Sequence, residues 1–318
     1  MKEENIWVCD IDPSHQFKSP TDDGYCPSCP LWTGLLTKKT RLVPTTGTGP
    51  GPGLGPRPGP APGQQEVGLC VILMDASASM TDPVFEEDTE TKIALVARSA
   101  AEGIFDLERL HNNQNAVIAA FKFDDRVEKM FVKSVGALIK DYDKDVNRFS
   151  DYLYEQLFKM QRGTDINKAL RVAHEYVGNF LQNRLNDFPV KNYTSMQQRI
   201  LRAQTAESVS IPNVRVLIYT DGRQFVENGE KQLKANPFIQ SPLPGLNHDV
   251  VIGAFLGKLK DDGCNELKSV LSECPRHDAA QFFLLDTHEK TRHMKHLFRM
   301  ASGASGFCPM CLSQQLRD

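Results

Sequence analysis

The run Val67 to Met74, VGLCVILM, is almost wholly apolar, stops at Asp75, and is followed by hydroxyls at Ser77 and Ser79. A strand with one face in water would alternate apolar and polar residues. A near-continuous apolar run instead suits a strand covered on both faces, the condition of a parallel sheet flanked by helices. The same signal recurs at 116–123, 127–132, 214–220, 250–256 and 282–285. Between these runs lie helical patterns. Ile93, Val96, Ala97, Ala100, Ala101 and Ile104 share one face, and similar spacing marks 146–160, 166–181, 265–273 and 289–301. The alternation predicts an α/β domain with a doubly wound, mostly parallel sheet and helices on both faces. Residues 182–213 are long and polar and read as an insertion with partial helix.

A second feature divides the chain. PTTGTGPGPGLGPRPGPAPG, residues 44–63, holds seven prolines and seven glycines. Such a segment buries too little apolar surface to offset its ordering entropy, so it is expected to be a flexible tether. The expected organisation is a small cysteine-bearing head over 1–37, a linker over 38–65, the α/β body over 66–303, and a C-terminal tail over 304–318 carrying Cys-Pro-Met-Cys. No signal peptide or spanning segment is recognisable, because Met1-Lys-Glu-Glu lacks an apolar stretch and no apolar run approaches about 18 residues. The expectation is a cytoplasmic protein without a membrane partner. A formal net charge of −3 gives no basic face for a polyanion, so nucleic acid is not the expected partner.

In a reducing compartment the eight cysteines read as metal ligands or core residues rather than disulfides. Cys26-Pro-Ser-Cys29 has zinc-knuckle spacing, and Cys9 with His15 completes a Cys₃His tetrahedron. Asp12 is a rival fourth ligand. A head this short could hardly fold without a metal. Near the other end Cys308-Pro-Met-Cys311 repeats the pattern, and Cys274 with His277 offers a second Cys₃His set. An alternative joins Cys26 and Cys29 to Cys308 and Cys311 as a Cys₄ site. Cys70 and Cys264 are expected to be structural. The basic run His288, Lys290, Arg292, His293, Lys295, His296 and Arg299 reads as a solvated helix face, with an acidic-partner patch as the alternative.

Two strand-like runs end in an acid, Leu73-Met-Asp75 and VLIYTDG at Asp221. In open α/β sheets ligands sit beyond the carboxyl ends of strands, where the strand order reverses. If the first and fourth strands are neighbours there, Asp75 and Asp221 face each other across the crevice. Ser77 and Ser79 follow the first strand, and RGTDINKAL places Thr164 before another helix. Five oxygen donors, two of them ionisable, suit a hard divalent cation, with Mg²⁺ expected and Mn²⁺ or Ca²⁺ as substitutes. The competing reading is helix capping, for which Asp, Ser and Thr are the favoured residues.

Asp75-Ala-Ser77-Ala-Ser79, Thr164 and Asp221 together make residues 66 to 303 resemble the von Willebrand factor A-type domain family. The resemblance implies a metal-ion-dependent adhesion site in which the two serines and the threonine bind the metal directly, while the acids act largely through water. Ala78 stands where the family commonly has glycine. The head resembles a zinc ribbon, although a standard ribbon would have a second tight pair at Cys9. The combination is similar to bacterial A-domain proteins of tellurium resistance, stress or phage defence, which implies an adaptor with an operon-linked kinase or phosphatase as partner.

The expected function is therefore protein interaction, in which a partner's Asp or Glu carboxylate completes the metal site, and not catalysis. The alternatives are a Mg²⁺-dependent hydrolase using the same site and a nucleic-acid binder acting through the ribbon. Against the hydrolase, no His or Glu is placed by motif beside the cluster as a general base.

Overall fold

The structure is a computed structural model of the 318-residue chain. It describes residues 2–9, 16–17, 36–43, 68–107, 116–159, 162–190, 214–226, 233–243, 246, 250–274, 279–292 and 294–301. The chain separates into two units, Met1–Gly63 and Gln64–Asp318.

The first unit contains a three-stranded antiparallel sheet in the order β2-β1-β3, built from β1 (Lys2–Cys9), β2 (Gln16–Phe17) and β3 (Leu36–Val43). β1 and β3 pair along their whole length, from Lys2 opposite Val43 to Cys9 opposite Leu36. β3 thus runs six residues into the stretch 38–65 read as linker. Its charges disguised it, whereas Thr37, Thr40 and Val43 are β-branched and suit a pleated surface. Cys9 closes β1. His15, Cys26 and Cys29, the other members of the proposed head site, lie outside the described residues.

The second unit is a six-stranded sheet: β4 (Leu69–Asp75), β5 (Val117–Phe123), β6 (Val127–Ser134), β7 (Val214–Thr220), β8 (Val251–Phe255) and β9 (Phe282–Leu284). Its order is β6-β5-β4-β7-β8-β9, parallel throughout except for the edge strand β6. The helices are α1 (Lys92–Asp106), α2 (Val135–Asp141), α3 (Val146–Phe158), α4 (Ile166–Leu181), α5 (Pro237–Gln240), α6 (Asp262–Ser269), α7 (His288–Arg292) and α8 (Met294–Ala301). α2 was not anticipated: it is only two turns long, started by Ser134, whose hydroxyl accepts from Ala137 N at 3.3 Å. The sequence suggested one helix over 289–301, and the described residues on either side of position 293 are helical, as α7 and α8.

Every residue of β4, β5, β7 and β8 is buried. Alternation along β4 splits its side chains between two cores. Cys70, Ile72 and Met74 join the side chains of α1, α3 and α8 on one face, while Leu69, Val71 and Leu73 join those of α4 and α6 on the other. Ile72 and Leu73 are essentially unexposed, so truncating either to Ala should cost roughly 2–5 kcal/mol. Among the described residues no helix is long and apolar enough to cross a membrane.

This order fixes where a ligand can sit. From β4 the chain passes to β5 on one side; from β7, hydrogen-bonded to the other side of β4, it passes on to β8. The connections diverge at the β4–β7 boundary and open a crevice beyond the carboxyl ends of those strands. Asp75 and Asp221 lie at those ends.

Candidate metal centre

Asp75, the last residue of β4, is 0% exposed. Its Oδ1 accepts from Ser77 N at 2.8 Å, an Asx-type turn that carries the chain out of the strand. Its Oδ2 accepts from the hydroxyl of Thr220, the last residue of β7. Burial first, and then the nearby charge of Asp221, push the Asp75 carboxyl up to about 7, against the hydrogen bonds from Thr220 and Ser77. A nearby cation would reverse that cost, because it favours the ionised form.

Ser77 and Ser79 lie on the single turn that follows, with Ala78–Thr81 coiled as a 3₁₀ segment anchored by the fully buried Met80. Ser77 precedes this segment but makes no side-chain capping bond. Its Oγ lies 3.3 Å from Ser79 Oγ, and Ser79 Oγ donates to Asp221 Oδ1 at 2.8 Å. The Asp221 side chain is 2% exposed, and its Oδ2 accepts from Lys92 Nζ at 2.6 Å.

Thr164 enters from the loop before α4. An isolated bridge holds it, with Thr164 N donating to Phe225 O at 2.7 Å and Phe225 N to Thr164 O at 2.8 Å. Gly163 makes that approach possible: a Cβ there would stand 2.4 Å from Phe225 O. The Thr164 hydroxyl faces Gly222, where an added Cβ would come within 3.2 Å of it. That hydroxyl makes no hydrogen bond to another described residue. The cap of α4 is Asp165, whose Oδ1 accepts from Lys168 N and from Gln224 Nε2, each at 3.0 Å. Capping and the cluster are thus carried by adjacent residues.

Ser77, Ser79 and Thr164 line a cleft of about 720 Å³, together with Arg162, Arg223 and Phe225. Two loops distant in sequence therefore bring three neutral hydroxyls to one cavity, Ser77 and Ser79 from one and Thr164 from the other, with two buried acids behind them. The donor set is all oxygen and holds one hydroxyl without a partner, so it fits a hard cation such as Mg²⁺ rather than a soft one. No three His, Cys, Asp or Glu side chains converge as a metal-holding group among the described residues. Of the second zinc set, Cys274 is buried, and His277, Cys308 and Cys311 lie outside the described residues.

Sequence reasoning missed Thr220, Gly163 and Lys92. A hydroxyl closing an apolar strand beside Asp221 could have pointed to Thr220, and a glycine before a candidate ligand could have pointed to Gly163. Lys92 carried no local signal, since its role comes from a partner far along the chain.

No protein-family description matches the chain, and no curated protein matches it. Solved structures do. Proximal thread matrix protein 1 from the mussel byssus is similar at 16% identity and a TM-score of 0.43, over 75% of this chain and 46% of that one. The chain therefore spans less than half the length of that protein. A von Willebrand factor type A structure from Catenulispora acidiphila is similar at 14% identity and a TM-score of 0.40, over 74% of this chain and 42% of that one. The mussel protein with a zinc-occupied MIDAS motif (metal-ion-dependent adhesion site) is similar at 13% identity and a TM-score of 0.38, over 75% of this chain and 48% of that one. All three TM-scores lie below 0.5, and the fold stands on its own strand order.

Proposed function

We propose that the second unit is a von Willebrand factor A-type interaction module whose carboxyl-edge cleft holds a divalent cation and, through it, an acidic group of a protein partner. The observation that carries this reading is the convergence of Ser77, Ser79 and Thr164 on one cleft, backed by buried Asp75 and Asp221. Ser77, Ser79 and Thr164 would hold the ion directly, and the two acids would balance its charge. The ion would supply positive charge and an open position for a carboxylate oxygen.

The cleft wall suits the same partner chemistry. Arg162 and Arg223, each more than half exposed, add positive charge, and Phe225, 46% exposed, adds an apolar contact. The hydrolase reading is less well supported. Burial works against ionisation of Asp125, the acid lining the cleft, yet hydrogen bonds from Asp124 and Arg162 and the Arg charges hold it below the usual carboxylate value. A shift in that direction makes the carboxylate a weaker base, the opposite of what a general base near neutral pH needs. An adaptor role in a bacterial stress or defence system, with a kinase or phosphatase partner in the cytoplasm, follows from the family resemblance of the motif. Zinc in the head, on Cys9, His15, Cys26 and Cys29, and near the C-terminus, on Cys274, His277, Cys308 and Cys311, follows from the spacing of those residues.

Calorimetric Mg²⁺ titration of the full chain tests the centre, and pulldown with and without chelator tests the grip. One ion per chain should bind. Asp221→Ala should weaken the ion and the captured partner together, and chelator should release that partner. Elemental analysis of the same sample should find at least about one tetrahedral zinc per chain. Absence of any saturable Mg²⁺ or Mn²⁺ binding to the wild-type chain would overturn the adhesion-site reading.

A further inference from the structure

Lys92 is the first residue of α1 and reaches Asp221, which follows β7. Its ammonium is 2.6 Å from Asp221 Oδ2 and 3.4 Å from Ser79 O, with only 16% of the side chain exposed. It is not among the residues lining the cleft, and neither is Asp221, the acid it holds. Asp221 is therefore held from both sides: Oδ1 accepts the Ser79 hydroxyl, and Oδ2 accepts the ammonium.

We propose that Lys92 is a positioning residue that sets the charge of the centre, loosening the hold on the divalent ion and leaving the loaded site net positive toward an anionic ligand. The proposal rests on the metal-binding reading above. With hydroxyls as the remaining donors, a doubly charged ion and two ionised carboxylates cancel. The ammonium then leaves one positive charge, which an incoming carboxylate can neutralise. Such charges, a few ångströms apart in a nearly dry setting, act on each other far more strongly than they would in water. The ammonium competes with the ion for the Asp221 carboxylate and repels the ion itself. Without metal it is also the cation that keeps Asp221 from standing unpaired beside Asp75, and removing one partner of a buried pair is costly.

The two readouts should therefore move in opposite directions. In the full-length chain, Lys92→Met should tighten Mg²⁺ about tenfold by calorimetry, the scale of one nearby charge in a partly buried site. Lys92→Gln, which keeps a hydrogen-bond donor and drops the charge, should tighten it as well, and Lys92→Arg should stay near wild type. In chelator, Lys92→Met should melt several degrees lower, and saturating Mg²⁺ should close most of that gap because the ion now binds the folded state more tightly. Acetate serves as the ligand probe: relaxation of its methyl protons by protein-bound Mn²⁺ should weaken in Lys92→Met and Lys92→Gln.

A different pattern overturns the proposal. If Lys92 only props up Asp221, both neutral variants bind Mg²⁺ more weakly. If it is an ordinary ion pair remote from the centre, both bind with wild-type affinity. Either result refutes the charge-setting role while leaving the metal centre standing. A wild-type chain that binds no divalent ion refutes the centre and this role with it.

Discussion

Adjacent strands β4 and β5 end in the same way and come to different chemistry. Each delivers an aspartate at its carboxyl end, Asp75 and Asp124, and both are 0% exposed. Each aspartate folds its chain back with the same turn, Ser77 N donating to Asp75 Oδ1 and Arg126 N to Asp124 Oδ1, both at 2.8 Å. They differ in what faces the second oxygen. Asp75 Oδ2 meets the Thr220 hydroxyl, with Ser77 and Ser79 on the turn just beyond. Asp124 Oδ2 finds no donor among the described residues; its neighbour is Asp125, and Arg126 pairs with both acids while Arg162 pairs with Asp125. The chain supplies its own cations beyond β5 and neutral oxygens beyond β4. A buried acid at a strand end is therefore not in itself a metal site; the neutral donors brought in by other loops make the difference. Asp124 instead works as a structural node, its carbonyl accepting from Asp165 N at 2.7 Å where α4 begins.

The largest effect expected from this contrast is on metal affinity. Asp75→Asn keeps the shape of the turn but removes a charge next to the donors, and loss of such a supporting group typically costs 10–100-fold in metal affinity. Asp124→Asn should leave affinity unchanged. Calorimetric Mg²⁺ titration of the two variants side by side is the check, and equal losses would erase the distinction between the strand ends.

A second effect is on the pH dependence of stability. Asp75 is raised from 3.8 to about 7, chiefly by burial and then by Asp221, and burial likewise raises Asp124. A carboxyl whose folded value is raised binds more protons folded than unfolded between the two values. The metal-free chain should therefore lose stability as pH climbs from about 4 to about 7 and then level off. Asp75→Asn should flatten most of that slope, whereas Asp124→Asn should remove only the Asp124 share. Mg²⁺ affinity should rise across the same window, because the ion favours the ionised carboxylate. Chelated thermal melts in a pH series decide it; a wild-type stability that rises from pH 4 to 7 would show that Asp75 is ionised without a metal.

The contrast also shows how far the sequence could be read. The body's sheet was legible because full burial on both faces leaves uninterrupted apolar runs: 214–220 and helix 166–181 fall where periodicity placed them. Asp75, Ser77, Ser79, Thr164 and Asp221 were legible as a set because each follows an element whose end is marked by polarity. β3 was obscured by Lys38, Lys39 and Arg41, since a backbone-paired strand needs no apolar pattern. Lys92 was not legible at all, and Gly163 only as a glycine standing before a candidate ligand. Their roles depend on Asp221 and Phe225, which only the closed strand order brings near. Asp124 has the same sequence signal as Asp75, an acid directly after a strand-like run, and only the structure tells them apart.

The smallest expected effects separate Thr164 from Asp165, neighbours that any motif reading would merge. Thr164 offers a hydroxyl with no partner among the described residues, on the wall of the cleft. Asp165 spends its carboxylate on Lys168 N and Gln224 Nε2. Thr164→Ala should therefore weaken Mg²⁺ while leaving the chelated melt almost untouched, since its bridge to Phe225 is made by backbone atoms that alanine retains. Asp165→Ala should do the reverse. Loss of a helix cap costs about 1 kcal/mol, and the hydrogen bond from Gln224 Nε2 to Asp165 goes with it. In a body this large, 1 kcal/mol corresponds to a fall of roughly 2–4 °C in Tm, with Mg²⁺ affinity close to wild type. The two measurements, ion titration and chelated melt, cross over between the variants if donors and scaffold are divided as the geometry divides them. If Asp165→Ala weakens the ion as much as Thr164→Ala does, the cap is part of the centre, and the division between donor and scaffold moves one residue along, to the start of α4.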